Sequence, residues 1–201
     1  MSGDFHIRPA TTADYEEVCV LSAQVFHLHS SAMPHIFRER MEPWPNRREF
    51  LAFIKGANSA ILVAYEDEAL AGFIVLRVSR SVQTPDFKSQ HYVVIYNIAV
   101  DPSWQRRGYG RALINAVVAW AGKKGVQHLE LNVYAFNEAA ARLYQSAGFA
   151  PVYQRLQRVL PARDEAGLRA ERTRRPSLWD RIARGWISRL AGLFGWGRKN
   201  S

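Results

Sequence analysis

The sequence has few of the features that mark secreted or membrane-spanning proteins. Cys19 is the single cysteine among 201 residues, which excludes an internal disulfide and fits a reducing, cytoplasmic setting. No apolar run reaches the about 18 residues that a membrane-spanning helix needs. The N-terminal "MSGDFHIRPA" also lacks the apolar stretch of a secretory signal. With 48% apolar and 22% charged residues, the composition predicts a globular chain with one main domain.

Acidic side chains are outnumbered, and the imbalance is concentrated at the C-terminal end. The formal net charge is +9, of which residues 161–201 contribute +6 from 10 basic and 4 acidic side chains. The first 160 residues therefore carry only +3. Because the excess lies in one short segment, the charge of the whole chain does not predict nucleic acid as a partner.

Hydrophobic periodicity predicts the element order β-α-α-β-β-β-α-β-α-β over the first 160 residues. Thr11 and Asp14 stand at the spacing of a capping box before the first helix, and the acidic turn "EDE" joins two strands into a hairpin. The segment "APVYQRLQRVL", residues 150–160, is predicted as the last strand. This order is typical of an α/β (α+β) fold with a mixed, mostly antiparallel sheet, helices on both faces and one parallel crossover.

The turn "DPSWQRRGYGRAL", residues 101–113, separates an apolar strand from a long apolar helix. Its glycines allow several backbone N–H groups to point at one spot, and a helix N-terminus adds about half a positive charge. Three arginines add further positive charge, which indicates a site for an anion such as a diphosphate; the alternative is a solvated basic turn. A dinucleotide fold would need a third glycine where Leu113 stands, and the sequence has no GK[ST] phosphate-binding motif.

Two blocks of the sequence, "VDPSWQRRGYGRAL" and "LELNVYAFNEAAARLYQSAGF", resemble the GCN5-related N-acetyltransferase (GNAT) family. The resemblance covers roughly residues 4–160 and implies a sheet whose central strands splay apart to admit acetyl-CoA as cosubstrate. It implies that the pantetheine arm pairs with the backbone of Ile98, Ala99 and Val100. The pyrophosphate contacts that it implies are Gln105, Arg106, Arg107, Gly108, Tyr109, Gly110 and Arg111. In the second block, Asn137 resembles the family's cofactor-contacting asparagine, and Tyr144 resembles its general acid, which also contacts the cofactor.

The implied reaction is attack of an amine on a thioester, and the amine must first lose a proton. Neutralising an alkyl ammonium at pH 7 costs about 4.6 kcal/mol, from a reference pKa of about 10.4. Histone-acetylating relatives carry a glutamate where this chain has Val94, and relatives that acetylate ribosomal proteins carry one where it has Asn132. Asn132 and Glu130, two residues earlier on the same strand face, are the candidates for this step, with Tyr96 or Asn97 acting through water. We expect a water relay.

Three histidines lie in "HLHSSAMPHIF", at the end of the first predicted helix. His29, Pro34 and Phe37 resemble a pattern in small-molecule acetyltransferases, where this segment walls the acceptor site. A metal site at His27, His29 and His35 is the alternative, but no cysteine or close carboxylate completes it. We therefore expect surface or acceptor-wall histidines and no bound metal.

The resemblance to the family stops at residue 160, and the sequence beyond it predicts an appendage. Residues 161–176 are charged and predict a linker, whereas residues 177–201 predict a basic amphipathic helix. Its apolar arc, from Ser177 to Trp196, holds tryptophans, and its opposite face holds arginines, which suits an anionic membrane surface. The same arc also fits the chain's own domain or a second subunit, and the pattern does not choose between these surfaces.

The sequence therefore predicts an acetyltransferase domain over residues 1–160, followed by the linker and the helical tail. The predicted function is transfer of an acetyl group from acetyl-CoA to a primary amine of a small molecule or a protein. We expect a cytoplasmic protein that the tail brings to the inner face of the membrane if the arc binds lipid. The alternative is a non-catalytic acyl-CoA-binding or membrane-tethered regulatory module of the same fold. Transfer of a longer acyl chain is a further alternative.

Overall fold

Within the described part of the chain, five strands form one sheet in which they lie in sequence order, β1 to β5. The computed structural model describes residues 5–38, 44–83, 85–86 and 88–160. The strands are β1 Phe5–Pro9, β2 Ser59–Glu66, β3 Ala69–Arg80, β4 His91–Val100 and β5 His128–Leu131. Neighbouring strands pair antiparallel except β4 and β5, which are parallel. The predicted mixed, mostly antiparallel sheet is therefore confirmed.

Four α-helices accompany these strands among the described residues, and a capping box precedes each of the first two. They are α1 Tyr15–Ala32, α2 Arg47–Lys55, α3 Tyr109–Lys123 and α4 Glu138–Ser146. Thr11 and Asp14 form the predicted capping box, on a short 3-10 turn that leads into α1. Asn46 and Glu49 form a second box at the start of α2. Each box satisfies backbone N–H groups that no helical carbonyl reaches, and such a cap contributes about 1 kcal/mol.

Helices cover both faces of the sheet, as the sequence predicted. On one face, α1 and α2 pack on alternate residues of β2 and β3, and the buried set is Val18, Leu21, Phe50, Phe53, Ile61, Val63, Phe73 and Val75. On the other face, α3 packs on the intervening residues, with Leu62, Ile74, Leu76, Val93, Ile95, Leu113 and Val117 buried. Central strands are apolar on both sides because both sides are covered.

Strands β4 and β5 separate part-way along their length. They pair from Tyr92 opposite His128 to Ile95 opposite Leu131, where β5 ends. Strand β4 continues to Val100 with β3 as its partner. The splayed pair of strands expected from the family resemblance is therefore present, and the second half of β4 has a strand on one side only within the described chain.

A β-bulge marks the point of separation. The register between β3 and β4 shifts so that Tyr96 has no partner residue on β3. As a result, Tyr96 and the following Asn97 both face α1 and α2, where Tyr96 contacts Phe53 and Asn97 contacts Ser22. The local sequence did not indicate this bulge.

The prediction of a last strand at residues 150–160 is wrong. These residues adopt no strand, and Val152 and Leu156 are 91% and 89% exposed. Alternating apolar residues form a strand only where a neighbouring strand accepts their backbone hydrogen bonds. Local alternation cannot report whether such an edge is available.

The chain divides into two compact units, Met1–Ala150 and Pro151–Ser201. The predicted linker at 161–176 and the predicted helix at 177–201 lie outside the described residues. Across the described ranges, none of the helices combines the length and apolar character required to cross a membrane.

Candidate active site

The turn that follows β4 is held in place by hydrogen bonds to the sheet. The Asp101 N–H donates to the carbonyl of Ala71 on β3 at 2.9 Å, and the Asp101 carboxylate accepts the N–H of Ser103, also at 2.9 Å. The Gln105 side chain donates back to the carbonyl of Val100 at 3.1 Å. The predicted anion turn is therefore anchored to the end of the strand from which it starts.

Backbone conformation at the turn opens the N-terminus of α3. Arg106 and Gly108 have left-handed φ angles of 65° and 95°, and Gly108 caps the helix without a side-chain hydrogen bond. The first helical bond is made by the N–H of Ala112 to the carbonyl of Gly108. The N–H groups of the intervening residues 109–111 precede it, so they are available to an external acceptor. Open amides and the positive end of the helix dipole together fit a phosphate group.

Two arginines of the turn are oriented by neighbouring elements. The Arg107 guanidinium lies 4.9 Å from the centre of the Trp104 ring. Arg111 donates to the Ser146 hydroxyl in α4 at 3.2 Å. Helix α4 approaches α3 closely here, because a Cβ atom on Gly110 would lie 2.8 Å from a methyl group of Leu143. The structure therefore brings the turn and the second sequence block together.

The Tyr109 side chain is buried in the core, whereas its backbone N–H lies at the start of α3. Its hydroxyl donates to the Glu66 carboxylate, and its ring contacts Phe5 and Trp104 at 4.9 and 5.7 Å. Burial, together with the Glu66 carboxylate, raises the pKa of Tyr109 to about 12. The side chain thus ties the first turn of α3 to the end of β2, and its N–H is the group left for an anion. Sequence reasoning missed Glu66 because it lies in the distant hairpin.

The residues predicted to pair with pantetheine lie on the half-free part of β4. Ile98, Ala99 and Val100 pair with β3 on one side, and no described strand pairs with them on the other. Their free backbone groups can bind an extended ligand as an added strand would. This edge runs directly into the turn whose amides fit a phosphate, so one elongated molecule can contact both.

Helix α4 carries the two predicted residues of the second block. Asn137 caps the helix, and its side-chain oxygen accepts the N–H of Ala140 at 3.1 Å. Tyr144 is 9% exposed and contacts Phe149 at 5.9 Å between ring centres. Burial alone raises the pKa of Tyr144 to about 12, because the phenolate loses more hydration than the phenol. Tyr144 is therefore a protonated hydrogen-bond donor at neutral pH.

The candidate residues for proton removal lie in and after β5. Glu130 is exposed and stands opposite Val94, the position of the carboxylate in histone-acetylating relatives. Partial burial raises the pKa of Glu130, although the nearby His128 opposes that effect. Asn132 follows the end of β5 and is exposed. Asn97 donates to the Ser22 hydroxyl at 3.4 Å, which ties the bulge to α1.

Of the three histidines in the α1 segment, His29 lies in a cluster of aromatic rings. Its ring centre lies 5.3 Å from Phe37, 5.5 Å from Tyr134 and 5.3 Å from Phe136. No group of three His, Cys, Asp or Glu side chains suited to a metal occurs in the described ranges. Sequence reasoning missed Tyr134 and Phe136, although their alternation after β5 was visible, because their contact with α1 spans about half of the chain.

The part of the chain that matches a known protein family contains these same elements. The model of the acetyltransferase (GNAT) family matches residues 23–149, which is more than half of the chain. The chain belongs to the GNAT family. The match runs from α1 to Phe149, so it contains the half-free strand, the turn and α4.

Relatives of this GNAT protein are named acetyltransferases. The N-alpha-acetyltransferase RimI of Mycobacterium tuberculosis is 32% identical over 142 residues, 71% of this chain and 76% of that protein. The ribosomal protein bS18-alanine N-acetyltransferase of Escherichia coli is 51% identical over 55 residues. That match spans 27% of this chain and 37% of the E. coli enzyme.

Solved structures share the fold. A crystal structure of a variant of the BH1408 protein from Bacillus halodurans is 32% identical, with a TM-score of 0.72 over 78% of this chain and 99% of that one. The aminoglycoside acetyltransferase AAC(6')-Iy, solved with a CoA-containing bisubstrate analogue, is 19% identical. Its TM-score is 0.59 over 79% of this chain and 99% of that one. The second likeness concerns the fold alone.

Proposed function

We propose that this GNAT protein is an acetyl-CoA-dependent N-acetyltransferase that acts on a primary amine in the cytoplasm. One observation carries the proposal: the half-free edge of β4 leads into the N-terminus of α3, whose first amides have no side-chain cap. An acyl-CoA has an amide-containing arm that suits the strand edge and a diphosphate that suits the helix amides. The turn and the strand edge therefore fit the two chemically different parts of one cosubstrate.

The proposed binding contacts follow from this arrangement. The backbone of Ile98, Ala99 and Val100 pairs with the pantetheine arm. The pyrophosphate lies on the turn, at Gln105, Arg106, Arg107, Gly108, Tyr109, Gly110 and Arg111. Asn137 and Tyr144 contact the cosubstrate from α4, which the close packing at Gly110 brings to the turn.

Three chemical requirements assign roles to the surrounding groups. A backbone N–H on the half-free edge near Ile98 or Ala99 stabilises the developing oxyanion. Tyr144 donates a hydrogen bond to the departing thiolate. The acceptor amine loses its proton through a water relay beside Glu130 and Asn132, because this sequence has no carboxylate at either position where the relatives carry one.

Assay of acetyl-CoA with a panel of amines tests the proposal. The panel includes a peptide with N-terminal alanine, which follows from the name of the E. coli relative, an aminoglycoside and a simple polyamine. We expect release of the CoA thiol that depends on one class of amine and gives an acetylated product by mass. Absence of heat in calorimetry with acetyl-CoA would contradict the proposal at its first step.

The missing carboxylates favour a second candidate, a non-catalytic acyl-CoA-binding or membrane-tethered regulatory module. Val94 and Asn132 stand where the relatives carry glutamate. In that case acetyl-CoA binds, and no amine in the panel is acetylated. A parallel panel of acyl-CoA thioesters separates acetyl transfer from transfer of a longer acyl chain.

We also propose that the C-terminal segment from Ser177 to Trp196 binds a surface. Its glycines weaken an isolated helix by about 1 kcal/mol each, so the apolar arc requires something to lie on. Anionic lipid at the inner face of the membrane suits its tryptophans and arginines, and a second subunit or the chain's own domain suits the apolar arc alone. The segment is less suited to binding nucleic acid, because its aromatic residues are not interleaved with arginines.

A further inference from the structure

Helix α1 passes over the gap between the separated strands. On the β4 side, its Ser22 hydroxyl accepts a hydrogen bond from Asn97 at the bulge. On the β5 side, His29 contacts Tyr134 and Phe136 in the chain that leaves β5. Ser22 and His29 are seven residues apart, about two turns, and therefore lie on the same face of the helix. His29 is thus held on the β5 side of the gap between the separated strands.

The imidazole of His29 is fixed in one orientation. Its Nδ1 lies 2.7 Å from the carbonyl oxygen of Val25, one turn earlier in α1. A carbonyl oxygen only accepts, so Nδ1 carries the hydrogen and donates it. In the neutral ring, Nε2 is then the unprotonated nitrogen, which accepts protons.

Three rings hold this imidazole from the sides while leaving it half-buried. Phe37, Tyr134 and Phe136 surround it at 5.3 to 5.5 Å, and Phe37 also contacts Tyr134 at 5.2 Å. Their contact restricts the ring, and the faces of aromatic rings attract an ammonium group. The cluster therefore joins a proton acceptor to a surface that suits a cationic amine.

The sequence has no carboxylate at either position where the relatives carry a glutamate. Val94 and Asn132 occupy the glutamate positions, and Glu130 is exposed on the paired part of β5, before the strands separate. Imidazole is the most frequent general base in enzymes at neutral pH. We propose that His29 Nε2 receives the acceptor's proton through one water of the relay, and that the surrounding aromatic rings select a cationic primary amine. The inference rests on the proposed N-acetyltransfer.

The proposed step balances in atoms and charge. The ammonium of the acceptor gives one proton through water to Nε2, and its nitrogen then bonds to the carbonyl carbon of the thioester. The carbon–sulfur bond breaks, and its electron pair leaves with sulfur as the CoA thiolate. The amide nitrogen loses its second proton, which neutralises the thiolate, and the imidazolium returns the first proton to water. The products are the amide, the CoA thiol and one proton in solution.

Two substitutions of His29 in the full-length protein test the proposal. His29→Asn keeps a donor near the Val25 carbonyl but removes the Nε2 acceptor, and His29→Ala leaves space for added imidazole. We expect kcat to fall about 100-fold or more in both, with acetyl-CoA affinity and melting temperature near the wild-type values. Added imidazole should restore at least a tenth of wild-type kcat to His29→Ala. His91→Asn, at the exposed start of β4, is the matched control and should leave kcat unchanged.

The outcomes separate this inference from the function on which it rests. A His29→Asn enzyme with kcat within threefold of wild type overturns it, and so does a loss that imidazole does not restore in His29→Ala. A raised KM with unchanged kcat also overturns it, because His29 would then only wall the acceptor site. A wild-type protein that acetylates no amine overturns the proposed function and this inference together. An active wild type with active variants overturns the inference alone.

Discussion

Tyr144 illustrates how burial limits what a single side chain can do. Burial raises its pKa to about 12, whereas an unperturbed thiol has a pKa of about 8.5. Full proton transfer from Tyr144 to the CoA thiolate is therefore uphill by several kcal/mol, at about 1.36 kcal/mol per pKa unit. The hydroxyl stabilises the leaving sulfur as a hydrogen-bond donor, and net protonation comes later, from the proton that the amide nitrogen loses.

Substitution of Tyr144 tests that role. We expect Tyr144→Phe to lower kcat by about 10- to 1000-fold, since one general-acid or donor contact is lost. Acetyl-CoA affinity should change little, because the ring and its packing on Phe149 are retained. Steady-state kinetics with calorimetry measure the two effects separately. An unchanged kcat would remove Tyr144 from the mechanism.

A second residue-scale prediction concerns a buried carboxylate near the start of α1. Burial opposes ionisation of Asp14, but hydrogen bonds from Arg8, from the Thr11 N–H and from the Tyr65 hydroxyl outweigh it and hold the pKa of Asp14 well below its usual range. A depressed pKa stabilises the fold above the carboxyl's unfolded pKa of about 3.9. That stability is lost as the pH falls below this value toward the folded pKa.

We therefore expect the free energy of unfolding to decrease as the pH falls below about 4. Asp14→Asn should lower the free energy of unfolding by about 1–3 kcal/mol at pH 7, because it leaves hydrogen-bond donors unpaired. It should also reduce the loss of stability between pH 7 and pH 3. Glu16→Gln is the control, because Glu16 and Arg47 form an exposed ion pair at 3.8 Å, which is worth less than about 1 kcal/mol. Urea unfolding between pH 3 and pH 7 measures both, and parallel acid limbs for wild type and Asp14→Asn would contradict the assignment.

At the scale of elements, the two glycines of the turn have different functions. Gly108 has a φ of 95° and open space around it, so it supplies a left-handed conformation. Gly110 lies where a Cβ atom would meet a Leu143 methyl at 2.8 Å, so it allows α4 to approach α3. A left-handed conformation costs a residue with a Cβ atom about 1–2 kcal/mol, whereas a leucine side chain can rotate away.

Gly108→Ala should therefore weaken acetyl-CoA binding more than Gly110→Ala does. We expect about 5- to 30-fold for Gly108→Ala, the equivalent of about 1–2 kcal/mol, if the strain shifts the first amides of α3. The double change Gly110→Ala with Leu143→Ala should bind like Gly110→Ala or better, because the clash is removed. Calorimetric affinities rank the variants, and equal losses at both glycines would contradict this division of roles.

Elements whose signal is local were predictable from the sequence, and those that depend on distant partners were not. The capping box of Thr11 and Asp14, the β2–β3 hairpin and the glycine turn follow from a few neighbouring residues, and all three are present. The strand predicted at 150–160 failed because a strand also requires an edge to pair with. The bulge at Tyr96 and the cluster around His29 arise from packing between segments far apart in sequence. No local sequence pattern therefore predicts them.

In the whole molecule, the proposed site and most of the net charge lie in different segments of the chain. The described site draws its positive character from arginines and open amides at one turn, whereas most of the net charge belongs to residues 161–201. The charge of residues 161–201 is therefore separate in sequence from the turn proposed to bind a diphosphate. It instead gives the protein a second electrostatic feature, which salt and lipid composition can test independently of catalysis.

The last prediction compares the full chain with a version that ends at Leu160. We expect the full chain to co-sediment with vesicles rich in anionic lipid, because each basic group near such a surface contributes about 1 kcal/mol. Phosphatidylcholine vesicles should pellet less protein, and salt of about 1 M should release it, since the screening length falls to about 3 Å. Equal pelleting of the two versions would discard the membrane interpretation. A tail that joins two subunits would instead lower the oligomeric mass in solution when it is removed, with no dependence on lipid.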